Sequence, residues 1–151
     1  MKRSSITSLD LRIIAWLSKW FQPVARVAIF TIFFYFGLLK LLDLSPASPI
    51  ALALVDKTVG AQYFEQLFIV LALLECLIGL LFLVPRATRV VVPLLLLHMI
   101  TVCSPLLLVP NEVWSQPFVP SLEGQYIIKN VVIIAVAIGI AAQTKPLKKK
   151  S

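Results

Sequence analysis

The sequence predicts an all-α protein, a four-helix transmembrane bundle with an N-terminal amphipathic interfacial helix. Three observations carry that prediction. The 151 residues are 60% hydrophobic and only 14% charged, against about 25% charged in an ordinary soluble domain, and the mean hydropathy is +0.96. Four apolar runs approach the roughly 20 residues that a helix needs to cross a bilayer core. The basic residues are unevenly shared between the segments that join those runs. So little polar surface could not cover so much apolar side chain in water, which makes the lipid bilayer the natural solvent. The net charge of +7 then reads as an orientation signal, and no nucleic-acid partner is expected.

Residues 1–22 are assigned to a cytoplasmic interfacial segment. Within it Leu9, Ile13, Trp16, Leu17 and Trp20 recur at helical spacing with Arg12 and Lys19 among them, a pattern that suits a helix lying at headgroup depth. The two charges interrupt the apolar stretch and no small-x-small site follows the first span, so a cleavable signal is not expected. The membrane domain is assigned to 23–143. Its first span, VARVAIFTIFFYFGLLKLL (24–42), follows Pro23, a residue tolerated at a helix start. The second (66–84) is closed by Pro85 and the third (90–109) by Pro110, while the fourth (126–142) is shorter and can borrow from residues 121–125. Between the first two spans, SPASPIALALVDKT is apolar but too short to cross, and is expected to lie along the surface. The proline-rich PNEVWSQPFVPSLEGQ between the last two reads as a stiffened cap. Residues 144–151 form a basic cytoplasmic tail that adds attraction to anionic lipid.

Orientation follows from lysine and arginine. Lys2, Arg3, Arg12, Lys19, Arg26, Arg86, Arg89, Lys145, Lys148, Lys149 and Lys150 fall on one side, and Lys57 alone on the other, with Asp43, Asp56, Glu65, Glu112 and Glu123. Basic residues stay inside, so both termini are predicted to be cytoplasmic in a multi-pass membrane protein.

The ionisable residues within the spans are the candidate site. At about 1.5 Å of rise per residue, Lys40 falls near the outer end of the first span and Lys129 near the outer start of the fourth. Glu75 and His98 fall near the middle of the second and third. Their helix faces (Phe36, Gly37, Lys40; Ala72, Glu75, Gly79; His98, Thr101, Pro105; Tyr126, Lys129, Ile133) mix small, aromatic and polar residues, the composition of helix–helix contacts in lipid. If the faces converge, the bundle has a polar interior in its outer half, with Lys129 facing inward near Lys40 and above Glu75. A lone charge at the bilayer centre costs about 2.5–3.5 kcal/mol on insertion scales, so Glu75 is expected to pair with Lys40, Lys129 or His98, or to take up a proton. The cluster reads two ways: an ion pair that locks helix register, or a ligand or proton site. Lys40, Thr101, Tyr126 and Lys129 would supply hydrogen-bond donors to a ligand. One histidine makes a poor metal site, and Cys76 and Cys103 have neither redox nor ligand spacing. No catalytic fingerprint is readable, which leaves open whether the chain is an enzyme.

Three stretches, YFGLLKLLDLSP, ECLIGLLFLVPRATR and SLEGQYIIKNVVI, stand in an order and spacing that resembles the DoxX-like family of small four-span prokaryotic membrane proteins. The branch they resemble is the inner-membrane group linked with resistance to reactive chlorine. The resemblance covers residues 24 to 142 and implies a four-helix bundle with links to quinone-coupled sulfur oxidation or oxidative-stress defence. Lys40, Glu75 and Lys129 carry over as motif residues only. The chain lacks paired redox cysteines, which departs from any thiol-based chemistry.

Three functions follow as expectations. The first is a membrane subunit whose outer polar cavity holds an amphipathic ligand, a quinone being the candidate, with electrons passed to a partner protein. The second is a non-catalytic scaffold or homo-oligomer, using a small-residue seam such as Ala135, Gly139 and Ala142. The third is a small-solute or proton pathway through Glu75 and His98. The orientation is open to test. Single cysteines near 57 and 115 should react with a membrane-impermeant reagent from outside, and those near 88 and 148 only after permeabilisation. Labelling at 115 from the cytoplasmic face alone would reverse the assignment.

Overall fold

The structure, a computed structural model, describes residues 2–146, with side chains from residue 7 onward. Lys148, Lys149 and Lys150 of the expected basic tail lie outside the described residues. Within these limits seven helices and one hairpin follow one another. They are α1 (Lys2–Leu41), α2 (Ser48–Thr58), α3 (Phe64–Phe82), α4 (Thr88–Cys103), α5 (Pro105–Leu108), α6 (Pro110–Val113), strands β1 (Trp114–Gln116) and β2 (Val119–Pro120), and α7 (Leu122–Ala142). Short 3-10 turns, Ala61–Tyr63 and Pro85–Ala87, lead into α3 and α4.

Four stretches are long and apolar enough to cross a bilayer: Thr7–Leu41, Ala61–Phe82, Pro85–Leu108 and Leu122–Ala142. Their ends have local causes. Val84 is extended (φ −100, ψ 102), as expected before a proline, so α3 stops at Phe82 rather than at 84. Ser104 interrupts the third stretch just before Pro105. Ser121 caps α7, its hydroxyl oxygen accepting from Gly124 N at 3.2 Å, the usual cap for free amides at a helix start. The fourth helix therefore begins at Leu122, using the residues that sequence left as an optional extension.

The first helix differs from expectation. Pro23 does not begin it but lies within it, and α1 is continuous from Lys2. A proline ring has a helical φ, and its cost is the lost hydrogen bond to the carbonyl four residues earlier, here that of Lys19. At the other end α1 closes in a Schellman turn. Asp43 takes a left-handed φ of 57°, while Leu44 N donates to Leu39 O at 2.8 Å and Asp43 N to Lys40 O at 3.2 Å.

Packing begins with α1 against α3. A Cβ at Gly37 would lie 2.8 Å from Cys76 Sγ and 2.9 Å from the Ala72 carbonyl, and one at Gly79 would lie 2.9 Å from Phe34 N. The missing side chains let the two backbones approach, as small residues do between membrane helices. α4 then packs on α3 and on α7, and α7 returns to α1. Ile29, Phe33, Ile78, Phe82, Val91, Leu95, Ala137 and Ile140 form the shared core. The opposite faces carry exposed Leu67, Val70, Leu73, Leu77, Val90, Leu97, Val131 and Val132, the surface that lipid rather than water would cover.

At the end of the bundle where α3 turns into α4, Arg26 is buried. Its Nη1 donates to Phe82 O at 3.2 Å and its Nη2 to Thr88 Oγ1 at 2.7 Å, with Gln22 Oε1 accepting at 3.4 Å from Nε and Nη2. Thr88 Oγ1 in turn donates to Pro85 O at 2.7 Å. The guanidinium thus satisfies the last carbonyl of α3, where a positive charge also meets the negative end of the helix dipole.

The glycine contacts make a graded prediction. Gly79→Ala must displace the α1 backbone and should lower stability by about 1–3 kcal/mol, the usual cost of overpacking. Gly139→Ala meets only the ring edge of Phe21 at 3.2 Å, which can rotate, and should cost less. Thermal unfolding of both variants in one detergent measures the difference, and equal losses would contradict the backbone contact.

Candidate functional site: a buried Lys40–Glu75–His98 triad

Each member of the triad is placed by a different helix. Lys40 stands in the last turn of α1, Glu75 on the buried stripe of α3 that includes Phe68, Ala72, Ile78 and Gly79, and His98 on that of α4 with Val91, Leu95 and Met99. The antiparallel course of α1 and α3 and the close approach at Gly37 bring the lysine beside the carboxylate. Lys40 Nζ lies 2.6 Å from Glu75 Oε2, and both side chains are buried. A charge-assisted contact of that length satisfies one carboxylate oxygen.

The other oxygen, Oε1, faces His98 Nε2 at 3.5 Å, a long contact at the edge of hydrogen bonding. His98 is only 3% exposed, and Phe33 meets its ring edge-on with centroids 5.6 Å apart. Its second nitrogen, Nδ1, is buried without a hydrogen-bond partner among the described residues. Buried polar atoms are nearly always paired, and an imidazole nitrogen without a partner costs about 1–3 kcal/mol. The triad is thus satisfied at its lysine end and open at its histidine end.

The remaining candidates are elsewhere. Thr101 is exposed on α4, Tyr126 is 63% exposed on α7, and Lys129 is exposed, its Nζ 5.0 Å from the centre of the Tyr126 ring. The inward-facing Lys129 expected from sequence is corrected on this point. Tyr126 and Lys129 lie about three turns before Ala137 and Ile140 on the same stripe of α7, but at their own level the covered residues are Gly124 and Ile127, and both side chains stay exposed. The lysine leans over an aromatic ring one turn nearer the helix start, as a snorkelling side chain does.

Two clefts lie away from the triad. One of about 320 Å³ lies between α2 and the α5–α6 junction, with Asp56, Lys57, Asn111 and Glu112 at its polar rim. A second of about 410 Å³ shares Ala53, Asp56 and Glu112 with it. Neither is lined by Lys40, Glu75 or His98. No group of three or more potential metal ligands occurs among the described residues. Cys76 contacts the Phe34 carbonyl at 3.8 Å, in packing against α1.

Arg26 is the buried polar residue that sequence reasoning used only as an orientation marker. Its signal was faint: Gln22 four residues earlier on the same helix face, and a threonine three residues after Pro85.

The pairing can be measured by a mutant cycle. Lys40→Met and Glu75→Gln should each lower stability by about 3–5 kcal/mol, because each leaves an uncompensated buried group, while the double variant should lose much less than the sum. Lys129→Met should be within about 0.5 kcal/mol of wild type, as an exposed change, and additive with Glu75→Gln. Coupling of Glu75 to Lys129 rather than to Lys40 in detergent unfolding would refute the geometry.

No family model, curated protein or solved structure matches the chain.

Proposed function

We propose that the chain is a small multi-pass inner-membrane protein whose triad forms the polar end of a site for an amphipathic ligand. The ligand presents a hydrogen-bonding head to His98 and an apolar body to the bundle, and a quinone is the first candidate. A redox or oxidative-stress role would then run through a partner protein. The DoxX-like resemblance points the same way. The observation that carries the proposal is the unpaired, buried Nδ1 of His98, next to a carboxylate held by Lys40. Ionisable groups at membrane depth ordinarily mark ligand or proton routes, and an open imidazole nitrogen is suited to either.

The same reading places the basic end of the bundle in the cytoplasm, with both termini there. The stretch Thr7–Leu41 has 35 residues, about 52 Å of helix against about 30 Å of hydrocarbon. Phe21 already meets Gly139 near the end of α7, so the residues before it run past the bundle. Leu9, Ile13, Trp16, Leu17 and Trp20 are exposed on that arm. In a bilayer the arm bends at Pro23, where one backbone hydrogen bond is already missing, and lies on the cytoplasmic leaflet.

A second reading is favoured by the tight packing. Gly37 and Gly79 leave no slack between α1 and α3, which suits an ion pair that fixes helix register. The small-residue seam of the scaffold reading has less support, since Gly139 is covered by Phe21.

His98→Leu separates the readings because it keeps the Lys40–Glu75 pair. If the site binds a quinone, mass spectrometry of purified wild type should find one co-purifying, and the variant should retain about tenfold less, the loss of one hydrogen bond of about 1.4 kcal/mol. No quinone with the wild type, or equal amounts with both proteins, would leave the register lock as the function of the triad.

A further inference from the structure

The hairpin between the third and fourth membrane-length helices carries a feature that the triad does not explain. Pro117 and Phe118 join β1 to β2, with Trp114 opposite Pro120 and Gln116 opposite Val119. Phe118 has a φ of 63°, in the left-handed region where a β-carbon is strained and where a proline-containing turn ordinarily takes glycine or asparagine. Its side chain is 95% exposed. Strain held at the most projecting point of a loop points to a contact outside the chain.

The mount is rigid. Trp114 Nε1 donates to Leu106 O at 3.0 Å and Ser121 N to Val113 O at 2.9 Å. Gly124 comes so close to the Val113 carbonyl that no β-carbon would fit. The hairpin is therefore clamped both to α5 and to the first turn of α7.

The surroundings say what the tip meets. The segment VWSQPFVP has no charged residue, and Glu112 and Glu123 stand on either side of it. It links the facing ends of two stretches of membrane-crossing length, Pro85–Leu108 and Leu122–Ala142, so it sits at headgroup depth. Leu107 and Leu122, at those two ends, are both exposed and carry the lipid-facing surface up to the hairpin. Trp114 and Tyr126 add aromatic rings at the same end, the residue types that collect at membrane interfaces.

We propose that the hairpin inserts Phe118 into the interface of the leaflet at the loop end of the bundle, as a fixed anchor for α4, α5 and α7. The occupant is phospholipid, and the uncharged turn supplies no group to recognise a particular head. A wedge at this end would fix the depth of the fourth helix, whose Lys129 must reach the same interface.

The test uses the full chain in phosphatidylcholine vesicles, with Cys76→Ala and Cys103→Ala as background and a spin label on Phe118→Cys. Ser115→Cys, exposed on the same hairpin, provides the comparison. The ratio of collisions with oxygen to collisions with a water-soluble nickel chelate should be several-fold higher at 118 than at 115. Equal ratios would put the tip in water and overturn the proposal. Shielding from both reagents, or disulfide-linked dimers of Phe118→Cys on oxidation, would overturn it too, by showing the tip covered by protein. Phe118→Gly separates strain from folding: it should keep or raise the detergent unfolding temperature, and a loss would show that the ring is needed within the chain instead.

Discussion

At Gly37 and Gly79 the backbones of α1 and α3 come so close that a single methyl group would meet a sulfur or a main-chain amide. That approach decides where Lys40 stands. Shifted outward by the width of a side chain, α1 would leave its last-turn lysine short of Glu75, and the carboxylate would be buried without a cation. The ion pair in turn opposes sliding of one helix past the other, because a one-turn slip would move Lys40 by about 5.4 Å. Close packing and the buried charge therefore depend on each other. In lipid, where apolar side chains gain little by touching each other rather than acyl chains, this mutual dependence sets register more firmly than the leucines can.

The opposite end of the same helix pair is held by a different device. Arg26 bonds to the last carbonyl of α3 and to Thr88 at the start of α4, so one side chain ties three helices at their turn. Its partners are neutral, so the contact lets a cation enter a buried position without an acid. Lys40 and Arg26 are thus two parts of one arrangement: α1 brings one cation to a carboxylate inside α3 and another to the carbonyl at its end.

The four apolar runs were legible because length and hydropathy are local properties that tertiary contacts barely alter. Glu75 and His98 were legible for a related reason, since a polar group in an apolar run has few places to go. The outer end of the fourth helix was not. The spacing Tyr126, Lys129, Ile133 does run on to the buried Ala137 and Ile140, but beside the hairpin the covered residues are Gly124 and Ile127 instead. That change of face shows only once the hairpin clamp at Val113 is known. Pro23 misled for the opposite reason. Its local preference for a helix start is real, but the turns on both sides of it are helical and outweigh one lost hydrogen bond.

The polar groups divide by how completely the fold answers them. Glu75 Oε2 has Lys40 at 2.6 Å, and Arg26 has two carbonyl or hydroxyl acceptors beyond its own helix. Lys129 is exposed and has an aromatic face beside it. His98 has one long contact and one bare nitrogen. Leucine at 98 would remove the bare Nδ1, but it would also take from Glu75 Oε1 its one long contact. The imidazole gives Glu75 Oε1 a long contact at 3.5 Å and leaves its own Nδ1 without a partner among the described residues. The asymmetry between a closed lysine end and an open histidine end is the feature of the bundle that packing leaves unanswered.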